Sequence, residues 1–249
     1  MKKYFTFVKI EHTLFSLPVI YAGMALGYLA KVQQDGVTPT TSTLWITGIW
    51  ILVAATGART VGFAMNRIVD RHIDAKNPRT AIRDLPSGRM TIGQAWGVLF
   101  AGLILYLSAA LQLNPVCLFL SPIPLLVFSI YPFLKRFTVL AHFGVGLSLA
   151  LGPLGGYLAL RPVFDITIIP VALLTLFTWL WVSGFDIIYS TSDEEFDKRE
   201  GLFSFPSRFG KKRALRYSGL LHLVAFALLA GLYFQVFYGS VIVAILLIA

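Results

Sequence analysis

The stretch ILVAATGARTVGFAMNRIVDRHIDAKNPRT, residues 51–80, decides how the rest of this chain is read. Its first half is apolar enough for a membrane. Its second half carries Asn66, Asp70 and Asp74 at intervals of four among three arginines and a lysine. After Thr91 the chain turns oily again with IGQAWGVLFAGLILYLSAAL. A cluster of carboxylates and cations is therefore held between two membrane-like segments. The bulk composition supports that reading. Of 249 residues, 57% are hydrophobic and 13% charged, with a mean hydropathy of +0.75, where soluble domains carry about 25% charged residues. These values predict a polytopic membrane protein.

A span needs about 20 apolar residues. Candidates lie near 14–30, 44–65, 92–111, 115–134, 139–160, 164–185 and 214–234, and an eighth begins near 237 and stops at Ala249. At a rise of about 1.5 Å per residue the eighth is too short to cross a core of about 30 Å, so it is expected to be incomplete. The opening MKKYFTFVKIEH is too polar and aromatic for a cleaved signal, so the first span is expected to stay in the mature protein. Of 21 Lys and Arg, 18 fall at the N-terminus or in the segments 66–91, 135–138 and 186–216; the opposite loops hold only Lys31 and Arg161, and Arg59 lies inside the second span. That alternation predicts a multi-pass protein of the cell (inner) membrane, with its N-terminus and charged loops cytoplasmic. It also accounts for the net charge of +9 without nucleic acid. The single cysteine, Cys117, excludes a disulfide framework or thiolate metal site and reads as a small buried hydrophobe.

The charged loops share a grid. Asn66, Asp70 and Asp74 each precede Tyr189, Asp193 and Asp197 by 123 residues. GYLA at 27–30 returns at 156–159, though four common membrane letters carry no weight alone. The carboxylate spacing predicts a single domain over 1–249 with two related halves, roughly 1–134 and 135–249, and membrane repeats commonly place a site at their interface. Residues four apart share a helix face, so Asp70 and Asp74 could hold one metal ion with Asn66 as a neutral oxygen ligand. Asp193 and Asp197 would repeat the geometry, with Asp186 seven residues earlier near the same face. Like charges at that spacing repel slightly, and a cation should offset them. Mg²⁺ fits, because it takes oxygen ligands from one or two carboxylates and completes its shell with water and phosphates. Two clusters suggest two ions bridging one diphosphate. No His or Cys sits at a ligand spacing, which argues against zinc. Arg79, Arg83, Lys135, Arg136 and Lys198 occupy the same layer and could grip phosphate. Alternatively, they are solvated positive-inside residues.

N-x3-D-x3-D at 66–74 followed by NPRTAIRDLPSGR, and D-x2-Y-x3-D-x3-D at 186–197 followed by KREGLFSFPSRFG, resemble the UbiA family of intramembrane aromatic prenyltransferases. HTLFSLP at 12–18, YPFLKRFT at 131–138 and the glycine-rich fifth span fit the same family. The resemblance implies an all-α bundle of nine helices around a central cavity that opens sideways to lipid. With eight spans visible and the last incomplete, the ninth is expected to be absent. The resemblance also implies Mg²⁺-dependent transfer of a polyprenyl group from polyprenyl diphosphate to an aromatic ring. By that resemblance Asn66, Asp70, Asp74, Asp193 and Asp197 bind Mg²⁺–diphosphate. Arg79, Arg83, Lys135 and Lys198 hold phosphate. Asp186, Tyr189 and Tyr131 sit nearer the reacting centre, with Asp186 a candidate general base.

GARTVGFAMNR, RDLPSG and GFDIIYSTSDEEFDKREGLFSFPSRFG look most like the 4-hydroxybenzoate polyprenyltransferase-like subgroup (MqnP-type). The acceptor it implies is 4-hydroxybenzoate or 1,4-dihydroxy-6-naphthoate, on the way to ubiquinone or menaquinone. Both are phenolic aromatic acids. Arg59, seven residues before Asn66 and two turns inside a span, is a functional hypothesis by default and could pair with the acceptor carboxylate; alternatively it snorkels to the interface. Among the histidines, His12 carries little weight. His72 could touch phosphate, and His142 and His222 read as polar helix residues with one internal hydrogen bond each. Two other readings of the residues stay open. A lipid-binding or transport protein could carry the same polar layer, and a membrane diphosphate hydrolase could share the metal site.

Overall fold

The computed structural model describes residues 13–240 together with Phe7. The described residues form helices joined by turns, with no strand among them. The principal elements are α1 (Thr13–Asp35), α2 (Thr41–Lys76), α3 (Ile92–Leu113), α4 (Pro115–Leu120), α5 (Pro122–Leu134), α6 (Ala141–Leu160), α7 (Ile169–Ser190), α8 (Glu194–Arg199), α9 (Phe205–Phe209) and α10 (Lys211–Leu232). Six segments among the described residues are long and apolar enough to cross a membrane: Thr41–Lys76, Ile92–Leu113, Pro115–Leu134, Ala141–Leu160, Ile166–Arg199 and Lys211–Phe237. The span expected near 14–30 falls in α1. Most of the eighth segment, from 241 on, lies outside the described residues, as do His12 and the N-terminal lysines.

The first acidic segment is not a loop. α2 begins at Thr40, whose hydroxyl accepts the Thr43 N–H, and runs 36 residues without a break. That is roughly 54 Å of helix at 1.5 Å per residue, well beyond a core of about 30 Å. The helix carries Asn66, Asp70 and Asp74 past the apolar layer on one continuous face. It stops where the sequence reads Asn-Pro: Asn77, held extended at φ −90°, ψ 118°, precedes Pro78, which disfavours helical backbone at the residue before it. The span expected at 115–134 is two helices. Asn114 caps the first by accepting the Cys117 N–H, and the chain breaks at Ser121–Pro122, where proline cannot donate to the preceding turn.

α6 is the centre of the bundle, packing against α1, α5 and α7; α2 packs on α3 and α5, and α7 on α10. The α1–α6 contact is made backbone to backbone. A Cβ at Gly23 would lie 2.0 Å from the Pro153 carbonyl oxygen, one at Gly27 would lie 2.7 Å from that of Tyr157, and one at Gly156 would lie 2.2 Å from that of Ile20. The two GYLA copies thus start at glycines that face each other's helix. In lipid, such small-residue contacts let helices approach closely enough for van der Waals packing to hold them. Gly156→Ala is expected to cost roughly 1–3 kcal/mol of stability through overpacking, or a fall of about 2–12 °C in melting midpoint for a chain of this size. Gly155→Ala, where the new methyl meets nothing within 4 Å, is the control. Equal midpoints for the two variants would mean that α1 is free to move away from α6.

The outer surface is apolar, with Trp45, Ile49, Phe100, Ile104, Phe119 and Leu223 all exposed. Hydrocarbon-facing positions require this. At the end of the bundle remote from the acidic segments, the two cations of the opposite loops sit at the C-terminus of α6. Lys31 donates to the Leu160 carbonyl at 3.1 Å. Arg161, 3% exposed, binds Asp35 and Asp165 through separate edges of its guanidinium, at 2.8 Å each. Hydrogen bonds from Arg161 and then Thr167 hold the Asp165 carboxyl well below the usual carboxylate range, and the bonds that Arg161 donates to Asp165 and Asp35 hold its guanidinium above its ordinary value. With its folded value depressed, Asp165 contributes stability above its unfolded pKa, and that contribution disappears as pH falls through the lowered value.

Candidate active site

Two cavities lie end to end between the helices. The larger, about 560 Å³, runs among α1 to α7 and is lined mostly by aliphatic and aromatic side chains. The smaller, about 210 Å³, sits at the acidic end and is lined by Asp70, Asp74, Asp186, Asp193, Asp197, Arg79, Arg83, Lys135 and His142, among others. Asn66, Tyr131, Val145 and Asp186 line both. They mark the junction between an apolar chamber and a charged one.

α2 supplies the first wall of the charged chamber. Asp70 is 2% exposed. It accepts from Lys135 Nζ at 2.6 Å, from Asn66 Nδ2 at 3.1 Å and from Arg136 Nη2 at 3.3 Å. One turn later, Arg83 Nη1 bonds both Asp74 oxygens, at 2.8 and 2.7 Å. Arg136 spends its remaining donors on the Pro132 and Val69 carbonyls. It braces α5 against α2 and does not line the smaller cavity.

The second wall departs from the expected symmetry. α7 ends at Ser190 and a 3₁₀ turn, Thr191–Asp193, precedes α8. Asp193 has left helical backbone, at φ −108°, ψ 7°. The equal spacing of Asp193 and Asp197 therefore does not repeat the single helix face of Asp70 and Asp74. Instead Asp193 turns toward the α2–α3 loop. Asn77 Nδ2 donates to its Oδ1 at 3.0 Å, Arg79 Nε donates to the same oxygen at 3.0 Å, and Arg79 Nη2 pairs with its Oδ2. The third edge of Arg79 reaches the Tyr189 hydroxyl at 2.7 Å, with the guanidinium over that ring. Asp193 holds the Arg79 guanidinium above its ordinary pKa. Lys76–Glu200 at 2.7 Å adds a rim contact between the same two segments, and the Phe203 N–H donates to the Lys135 carbonyl at 2.8 Å. The two acidic segments are thus locked together over the charged chamber.

Not every expected residue arrives there. Lys198 points away: its ammonium pairs with Glu194 at 2.5 Å one turn back, half-exposed, because the 3₁₀ break rotates α8 relative to α7. His72 is exposed on α2 and lines neither cavity. Tyr189 lines only the charged chamber, whereas Tyr131 reaches the junction. Arg59 lines the apolar chamber, its guanidinium 4.7 Å over the Phe63 ring.

His142 is more than a polar helix residue. It is 4% exposed and makes two hydrogen bonds. Nδ1 lies 2.7 Å from Asp186 Oδ2, and Nε2 accepts the Phe205 N–H at 3.3 Å. His222, by contrast, makes the internal hydrogen bond expected of it, with Ser218 at 3.4 Å. Asn77 and Val145 are further additions. The Asn-Pro helix stop could have flagged Asn77; nothing in the sequence marks Val145.

Among the described residues no three His, Cys, Asp or Glu side chains converge closely enough to cage a metal. The donors that line the charged chamber suit a hard divalent cation that shares its shell with a phosphate ligand. Five carboxylates against three permanent cations would repel a bare diphosphate; one added Mg²⁺ would cancel that excess and a second would reverse it.

Comparison with known proteins agrees with this geometry. The sequence model of the UbiA prenyltransferase family matches residues 16–249. The chain is 34% identical to the mitochondrial 4-hydroxybenzoate polyprenyltransferase of Schizosaccharomyces pombe over 61% of its own length and 42% of that protein's, so it spans well under half of that relative. A UbiA homolog from Aeropyrum pernix K1, solved in its apo form, superposes with a TM-score of 0.82 at 35% identity, covering 93% of this chain and 82% of that one. The fold also matches a UbiA homolog from Archaeoglobus fulgidus bound to DMAPP and Mg²⁺, with a TM-score of 0.72 at 21% identity, covering 98% and 82%.

Proposed function

The chain belongs to the UbiA prenyltransferase family, and on that premise we propose that it transfers a polyprenyl group from a polyprenyl diphosphate to an aromatic carboxylic acid, 4-hydroxybenzoate or 1,4-dihydroxy-6-naphthoate, for quinone synthesis. The observation that carries this reading is the abutment of the two chambers. A polyprenyl diphosphate is apolar along its chain and charged at one end, and the charged and apolar cavities meet at Asn66, Tyr131, Val145 and Asp186. The scissile C1–O bond would lie at that junction. Excess cationic charge on the segments at the acidic end argues that the site faces the cytoplasm.

Mg²⁺, when bound between Asn66, Asp70 and Asp74 on one side and Asp193 and Asp197 on the other, would neutralise charge developing on the diphosphate. Arg79, Arg83 and Lys135 can exchange their carboxylate partners for phosphate oxygens, which accept charge-assisted hydrogen bonds equally well. These donors are in place before reaction, which is the arrangement that stabilises a leaving anion at least reorganisation cost. The apolar chamber excludes water from the allylic cation, which would otherwise be hydrolysed. Asp186, at the junction, is the candidate acceptor of the ring proton.

The test is a product assay on the protein in lipid vesicles, with a polyprenyl diphosphate, each acid in parallel, and mass spectrometry. Prenylated acid should form with Mg²⁺ and disappear on chelation. Free diphosphate released equally without an acid would identify a hydrolase instead. Binding of the diphosphate without turnover would identify a lipid-binding protein.

A further inference from the structure

We infer that His142 is a positioning residue for Asp186, holding that carboxylate in one orientation at the junction of the two chambers. The inference rests on the prenyl-transfer reading above. Its basis is the pair of hydrogen bonds on one buried ring. A neutral imidazole has one donor nitrogen and one acceptor nitrogen. The Phe205 backbone N–H can only donate, and it donates to Nε2 at 3.3 Å. The ring proton therefore sits on Nδ1, which donates to Asp186 Oδ2 at 2.7 Å.

The tautomer is fixed by a built turn. Phe205 opens α9, where N–H groups lack partners within the helix. The preceding Ser204 and the following Ser207 cap each other, Ser207 N–H to Ser204 Oγ at 3.2 Å and Ser204 N–H to Ser207 Oγ at 2.9 Å. That pair leaves the Phe205 N–H for the imidazole. The Phe205 ring also packs near the histidine, centroids 5.8 Å apart. α6, α7 and the start of α9 meet at this ring.

The reaction explains the need. The C1–O bond breaks and its electron pair leaves with the diphosphate. A π pair of the acceptor ring forms the new carbon–carbon bond to C1. The ring C–H pair then restores aromaticity as the proton passes to Asp186. A cationic ring intermediate is strongly acidic, so its proton acceptor need not be very basic. It must be aimed. A donated hydrogen bond fixes the direction of the carboxylate, and a neutral donor does so without adding positive charge to a site that would take up divalent cations.

The experiment compares His142→Leu and His142→Asn, whose amide nitrogen can stand close to Nδ1, in wild-type and Asp186→Asn backgrounds. His142→Leu should lower kcat about tenfold with both KM values within twofold. It should raise the isotope effect for acceptor deuterated at the reacting carbon, because proton removal becomes slower. His142→Asn should recover most of the rate. In the Asp186→Asn background His142→Leu should add nothing, since residues acting as a unit are non-additive. Undiminished kcat in His142→Leu, an additive loss with Asp186→Asn, or a loss confined to the KM for diphosphate would each overturn the inference. If the wild type itself makes no prenylated acid, the functional reading fails and this inference fails with it.

Discussion

Asp70→Ala and Asp193→Ala are each expected to reduce turnover by at least ~10²-fold, the scale on which removal of one preorganised electrostatic group acts. On the proposed reading the two positions would do the same work by different geometry. Asp70 is buried under three donors, from Lys135, Asn66 and Arg136, so its removal leaves buried positive charge with no counter-charge. Asp193 is the point where Arg79 and Asn77 clamp the α2–α3 loop onto the end of α7, so its removal also loosens the lid of the chamber. A Mg²⁺ titration separates the contributions. If the carboxylates hold metal, both variants should need more Mg²⁺ for half-maximal rate, and Asp70→Asn, which keeps the side-chain volume, should share the defect. Near-normal turnover in either alanine variant would remove that segment from the metal site.

Much of this architecture was legible in the sequence because its signals are strong ones. Membrane spans need long apolar runs, and the four-residue grid of Asn66, Asp70 and Asp74 needs a helix face, which α2 provides. The second grid misled because spacing does not encode backbone. Thr191, Ser192 and Asp193 favour turns as readily as helix, and the 3₁₀ break there sent Asp193 toward Arg79 and Lys198 away from the site. The role of His142 was invisible for another reason. Its partners, Asp186 and Phe205, are 44 and 63 residues distant, and only tertiary packing of α6 on α7 brings them together. Gly27 and Gly156 are an intermediate case. Their shared four-letter context looked accidental, and their meaning lies in an α1–α6 approach that no side chain could tolerate.

Arg59 is the residue we propose to govern the choice of acceptor. It lies seven residues before Asn66 on the same continuous helix, roughly 10 Å along the axis at 1.5 Å per residue. Both side chains line the apolar chamber, and Asn66 also marks the junction. A phenolic acid placed with its reactive ring carbon at the junction would therefore extend its carboxylate toward Arg59. The Phe63 ring beneath the guanidinium stabilises the charge within an otherwise apolar wall. A charge-assisted hydrogen bond contributes about 1.5–3 kcal/mol, so Arg59→Leu should raise the acceptor KM roughly 10- to 150-fold. The KM for prenyl diphosphate should change little, because on the proposed reading its phosphates would bind beyond Asn66 in the other chamber. A phenol without the carboxylate should be a poor substrate for the wild type, and the variant should discriminate less between acid and phenol. A rise in the diphosphate KM with the acceptor unaffected would instead move Arg59 to the phosphate site. A fall in folded protein alone, with both constants unchanged, would make it an interfacial cation whose length of side chain reaches water.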